Sequence, residues 1–121
     1  MIFVTGPLFS GKRTFVKSLF GWDDQQLIQN AVLDAQDLVS TEGDPAVLVN
    51  RLAEYPAVIA AETGAGVVPV DPAQRMAREK AGRLACLLAE RADVVVRMCC
   101  GLPQVLKGDL AGIQKGAMPW E

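Results

Sequence analysis

The chain of 121 residues has no histidine. That absence excludes Ser-His and Cys-His nucleophiles, imidazole bases and histidine-bound metals. Cysteine is scarce: Cys86, Cys99 and Cys100 are an odd set without C-x-x-C spacing. Neither a disulfide framework nor a thiolate zinc site is expected from them. They are expected to be buried and inert, Cys99 and Cys100 at a strand end, in a reducing cytoplasm. A basic surplus is lacking as well. Twelve Lys and Arg against fourteen Asp and Glu leave a net charge of −2, so no nucleic-acid partner is expected. No apolar run approaches the roughly 18 residues of a membrane span, and the first strand is expected to follow no signal peptide.

What is present suits one compact domain over residues 1–121, with 50% hydrophobic and 21% charged residues. Residues after about 108 are glycine-rich and are expected to form a loose tail. No internal repeat or low-complexity tract interrupts the chain. "IFVT" at 2–5 is a buried strand by composition, and Lys12 to about Phe20 a helix with Phe15, Leu19 and Phe20 inward. A loop with Gly21, Asp23 and Asp24 follows. Residues 25–40 fit either a helical stripe (Leu27, Ala31, Ala35, Leu38) or a strand through "AVL" ending at Asp34. Periodicity alone does not decide between them.

The next elements are clearer. Asp44 and Pro45 open a helix with Leu48, Leu52 and Tyr55 on one face. "AVIAA" at 57–61 is a strand. Asp71 and Pro72 open the longest helix, to about Arg91, with Ala77, Ala81, Leu84 and Leu88 as its apolar stripe. Gly82 within it points to close packing against a neighbour. "DVVVRMC" at 93–99 is the last strand, ended by Gly101 to Pro103. Strands alternating with helices imply an α/β fold with a mostly parallel sheet covered on both faces. In such folds ligands bind at the carboxyl ends of the strands.

Three strand exits therefore matter: Gly6 to Lys12, Glu62 to Gly66, and Cys99 to Pro103. The first reads G-P-L-F-S-G-K-R. Gly6, Gly11 and Lys12 have the spacing of a phosphate loop between strand and helix. Its glycines let backbone N–H groups turn around an anion, the helix adds its dipole, and Lys12 reaches the terminal phosphates. Arg13, however, stands where a Mg²⁺-ligating hydroxyl is usual, and a guanidinium ligates no cation. Thr14 follows one residue later, about 100° further round the helix. At the second exit, Glu62 runs into Gly64 and Gly66, which would allow backbone to approach a ligand or simply make a tight turn. Arg75, Arg78 and Arg83 lie on the helix beyond. Glu79 is four residues from both Arg75 and Arg83, so exposed ion pairs would account for those two.

"FVTGPLFSGK" together with "AETGAGVVPVDPAQRMAREKAGRLACLLAERADVVVRMCCGLPQVLKG" resembles the adenosylcobinamide kinase/adenosylcobinamide-phosphate guanylyltransferase family of cobalamin biosynthesis. The distinctive pattern is E-x-G-x-G-x-V-P, A-G-R, R-A-D before a strand, and G-x-P-x-x-x-K-G. "AVLDAQDLV" looks like the family's acidic strand, which favours a strand through Leu33 with Asp34 at its exit. The resemblance implies a P-loop NTPase-like three-layer fold, ATP or GTP with Mg²⁺, adenosylcobinamide as substrate, and a homo-oligomer, often a trimer. It implies that Lys12 and Asp34 are catalytic, Asp34 acting through Mg²⁺. Gly6, Ser10, Gly11, Lys12, Arg13, Thr14, Glu62, Gly64 and Gly66 would line the nucleotide site. It also implies that Arg75, Arg78 and Arg83 match basic positions of the family helix. Lys107 matches a closing lysine to which it assigns no role.

The departures are specific. Most of the family's segment between phosphate loop and acidic strand is missing, and with it the histidine that takes up the guanylyl group. Ala85 stands where A-G-R-x-N places asparagine. Guanylyl transfer through histidine is thus excluded. The expectation is a cobinamide-kinase-like protein transferring a γ-phosphoryl group, which asks little covalent work of the protein. The alternative is a nucleotide- or corrinoid-binding module without turnover.

Overall fold

The computed structural model describes residues 1–39, 43–62 and 71–111. Five strands form one sheet in the order β2-β3-β1-β4-β5. They are β1 (Ile2–Gly6), β2 (Ala31–Val32), β3 (Ala57–Ala61), β4 (Val94–Cys99) and β5 (Leu102–Lys107). The first four are parallel, with Ile2 opposite both Ala57 and Val94, and β5 runs antiparallel to β4. The expected α/β fold with a mostly parallel sheet is therefore the one observed.

Strand alternation sorts the side chains to two faces. Ile2, Val4, Ile59, Val96 and Met98 pack with Val16, Leu19 and Leu27, from α1 (Lys12–Phe20) and α2 (Asp24–Asn30). Phe3, Val58, Ala60 and Val95 pack with Leu48 and Leu52 of α3 (Pro45–Leu52) and Leu84 and Leu88 of α4 (Pro72–Arg91). Both helices on this second face start as expected, since Asp44 accepts from Ala46 N–H and Asp71 from Ala73 N–H. Tyr55 lies beyond the end of α3 and is exposed.

The ambiguous segment splits in two. Residues 24–30 are helical, opened by a reciprocal cap in which Asp23 accepts from Gln26 N–H and Gln26 accepts from Asp23 N–H. Ala31 and Val32 then pair with β3, and Asp34 follows the strand. The end of β4 also differs from expectation. Cys100 (φ 53°) and Gly101 (φ 77°) turn the chain back into β5, and Pro103 stands inside that strand. An edge strand tolerates proline because half its N–H groups face no partner. Exposure of all six β5 residues explains why no hydrophobic pattern marks it.

Three further expectations are corrected. All three cysteines are exposed: Cys86 lies on the outer side of α4 from Leu84 and Leu88, and Cys99 and Cys100 project at the hairpin end. Nothing lies within 4 Å of where a Cβ of Gly82 would stand, so no close neighbour demands that glycine. No ion pair joins Glu79 to Arg75 or Arg83 among the described residues. Of the expected tail, Leu110 packs against the α1-side core, and residues 112–121 lie outside the described residues.

Candidate phosphate-binding site

The loop from Gly6 to Lys12 leaves β1 beside its two central neighbours. Gly6 sits at φ 150°, and a Cβ there would run into the Met98 carbonyl of β4 and crowd Ser10 Oγ. Only glycine fits so tight a departure from a buried strand. Gly11 (φ 91°, ψ 19°) then turns the chain into α1, and Phe15 N–H opens that helix's ladder on Gly11 O at 3.0 Å. No side chain caps α1. The N–H groups of its first turn have no carbonyl of their own to bond, and they carry the positive end of the helix dipole.

Lys12 is nearly buried, at 8% exposure. Its Nζ donates to Pro7 O at 2.6 Å and lies 3.5 Å from Ser10 Oγ, so the ammonium sits within the loop that precedes it. Burial holds its pKa below the usual 10.5, while the charges of Asp34 and Glu62 act in the opposite direction and Arg13 adds to the lowering. The loop is tied to the far edge of the sheet as well. Gly101 N–H donates to Ser10 O at 3.0 Å, joining the β4–β5 turn to the Gly6–Lys12 loop.

Ser10, Gly11, Lys12, Arg13, Thr14 and Asp34 border one cleft of about 410 Å³, with exposed Leu8 and Phe9 at its rim. Asp34 adopts a left-handed conformation (φ 53°, ψ 49°) and opens a single 3₁₀ turn, Ala35–Asp37. Asp37 N–H bonds back to Asp34 O at 3.0 Å, and Gln36 Oε1 accepts from Ala61 N–H at 2.9 Å. The turn is thereby fastened to the exit of β3. From that position the Asp34 carboxylate accepts from Arg13 Nη2 at 2.7 Å.

This pairing bears directly on a divalent cation. Such an ion beside the loop needs oxygen donors, yet position 13 offers a guanidinium and the nearby carboxylate is engaged by it. The donor set as arranged does not suit Mg²⁺.

Glu62 follows β3, and its N–H donates to Gly6 O at 2.9 Å, so the two strand exits touch. Its side chain borders a different cavity, of about 340 Å³, together with Thr5, Gln36 and Gly82 on the α4 face. There Arg97 of β4 reaches across β1 and forks onto it, Nε to Oε1 at 2.5 Å and Nη2 to Oε2 at 3.2 Å. Hydrogen bonding to Glu62, with the attraction of its charge, raises the Arg97 pKa. Arg97 was not singled out in the sequence, although a lone cation within the apolar run "VVVRMC" was its signal. Gly64 and Gly66 lie outside the described residues. Arg75 and Arg83 are exposed on α4 and Arg78 is half-buried. Lys107 acquires a structural role, since its Nζ donates to the carbonyls of Ala89 (3.1 Å) and Glu90 (2.9 Å) at the end of α4.

Comparisons with known proteins place the chain in a family. The chain is 37% identical over 71 residues to the bifunctional adenosylcobalamin biosynthesis protein CobP of Pseudomonas aeruginosa. That stretch is 56% of this chain and 41% of the relative, so the chain spans about two fifths of the relative's length. Residues 22–106 match the model of the family described as cobinamide kinase / cobinamide phosphate guanyltransferase. The match takes in Asp34, Glu62, Arg97 and most of the β4–β5 hairpin, and it begins after the Gly6–Lys12 loop. This chain belongs to the cobinamide kinase / cobinamide phosphate guanyltransferase family.

Proposed function

We propose that this chain binds the phosphates of ATP or GTP in the Gly6–Lys12 loop and serves cobalamin biosynthesis as an adenosylcobinamide-kinase-like protein. The reaction is transfer of the γ-phosphoryl group to the cobinamide hydroxyl. The observation that carries this reading is the convergence of the nearly buried Lys12, the uncapped start of α1 and Asp34 on one cleft. Positive groups gathered there suit a transfer whose charge spreads over phosphoryl oxygens. Lys12 holds the terminal phosphates, and Ser10, Gly11 and Thr14 shape the cradle. Guanylyl transfer through a histidine has no place here, because the chain contains none.

A second reading, nucleotide binding without turnover, is favoured by one contact. Asp34, the carboxylate closest in role to a catalytic acid-metal partner, is engaged by Arg13. Product analysis separates the two readings. Incubation with adenosylcobinamide and ATP or GTP, with and without Mg²⁺, should yield a phosphorylated corrinoid by mass spectrometry, and none with Lys12→Ala. A GDP-linked corrinoid would refute the argument from histidine. Nucleotide binding with no corrinoid product would establish the module.

A further inference from the structure

Arg13 is the one cation at this cleft that an ordinary phosphate loop does not account for. Its guanidinium meets the Asp34 carboxylate at 2.7 Å, across 21 residues of chain. Two independent pieces of backbone set that meeting. Arg13 lies in the first turn of α1, directly after Lys12. Asp34 is held by its left-handed conformation, by the Asp37 N–H bond to its carbonyl, and by Gln36, whose amide fastens the turn to Ala61. Both side chains remain about half exposed, 54% for Arg13 and 44% for Asp34, and both border the cleft that contains Lys12. The pair is thus reachable from solvent at the cleft that contains Lys12.

The chemistry of the pair is that of a cation fixed by a carboxylate. In a metal-dependent phosphate site a carboxylate holds a cation, and the cation holds phosphate oxygens. Here a carboxylate holds a guanidinium. Arginine carries five N–H donors in a planar fork, and the Asp34 contact uses Nη2, which leaves Nη1 and Nε for a second acceptor. Guanidinium–phosphate bonding is charge-assisted and often bidentate. A divalent ion entering beside Asp34 would have to displace the guanidinium and would then be repelled by it.

We propose that Arg13, pinned by Asp34, takes the place of the divalent cation in this cleft, so that the chain binds nucleoside triphosphates without a metal ion. This rests on the phosphate-binding reading of the loop, and it holds whether or not transfer follows. An Arg13 that formed only an exposed ion pair would contribute little to anything, and the experiment distinguishes that case.

The test is calorimetric titration of the full chain with ATP and with GTP, in EDTA and in excess Mg²⁺, for the native protein and for Arg13→Ser, Asp34→Asn and Lys12→Ala. Thermal melting of each variant controls for folding. The native protein should bind in EDTA, with affinity changing less than about threefold on adding Mg²⁺. Arg13→Ser should lose ~tenfold or more in EDTA, the loss of a charge-assisted contact, and regain part of it with Mg²⁺. Asp34→Asn leaves the cation but removes the carboxylate that fixes it, so it should also lose affinity in EDTA, by less than Arg13→Ser does. Tightening of the native protein by ~tenfold or more with Mg²⁺ would overturn the proposal while leaving the phosphate cradle intact. Unchanged EDTA binding by Arg13→Ser would overturn it too, reducing Arg13 to a surface ion pair. Failure of the native protein to bind either nucleotide would overturn the cradle itself, and the proposal with it.

Discussion

Lys12 carries the proposed phosphate contact, and its surroundings set what that contact would require. A lysine ammonium is strongly hydrated, and here it is enclosed by the loop and supported by the Pro7 carbonyl. Enclosure disfavours its charged form, which is why its pKa lies below 10.5 before any ligand arrives. The sign for stability follows. Between the lowered pKa and 10.5 the unfolded chain holds the proton more tightly than the folded one, so Lys12's contribution to stability rises as pH rises through that window. Binding has the opposite sign, because phosphates need the ammonium. Nucleotide affinity measured by calorimetry against pH should hold steady near neutrality and decline before pH 10.5 is reached. A profile flat through that value would mean the ammonium does not contact the phosphates.

At the scale of elements, α2 and the 3₁₀ turn decide where Asp34 stands. The seven residues of α2 are too few to be stable alone, so its ends and its packing hold it. Leu27 is buried against the α1-side core, and the reciprocal Asp23–Gln26 cap satisfies two N–H groups at the start. Asp23→Ala should cost ~1 kcal/mol in urea-induced unfolding. Because β2 begins directly after α2, the same variant should also weaken the Arg13–Asp34 contact by loosening the approach to it. Lys107 performs a comparable service at the other end of the sheet, where it covers the last carbonyls of α4.

For the whole molecule, the sheet is a partition with different work on its two sides. One face carries α1, α2 and the cleft beside Lys12; the other carries α3, α4 and the cavity bordered by Glu62. The exits of β1 and β3 and the β4–β5 turn meet above the central strands, joined by the Glu62–Gly6 and Gly101–Ser10 backbone bonds. The loop's shape thus depends on the full sheet. Leu88, fully buried between α4 and the sheet, tests the stability of that frame apart from the loop. Leu88→Ala should cost ~2–5 kcal/mol in urea unfolding. That is a sizeable part of the ~5–15 kcal/mol typical of a domain. The remaining folded fraction should bind nucleotide normally.

The sequence by itself determined the parts whose chemistry is local. Gly6, Gly11 and Lys12 announced the tight strand-to-helix turn because such a turn restricts its residues wherever it occurs. The apolar runs of β1, β3 and β4 and the stripe of α4 marked the layers because buried parallel strands must be apolar on both sides. Tertiary structure alone decided the rest. Strand β5 has no buried face, so no periodicity could mark it, and it exists through its pairing with β4. The cysteines were placed by helix phase and hairpin geometry rather than by their apolar character. Arg97 found Glu62 across an intervening strand, 35 residues away in sequence, and Arg13 found Asp34 through a turn fastened to β3. Ion pairs of this kind have no sequence spacing, because what brings the charges together is the order in which the strands are laid side by side.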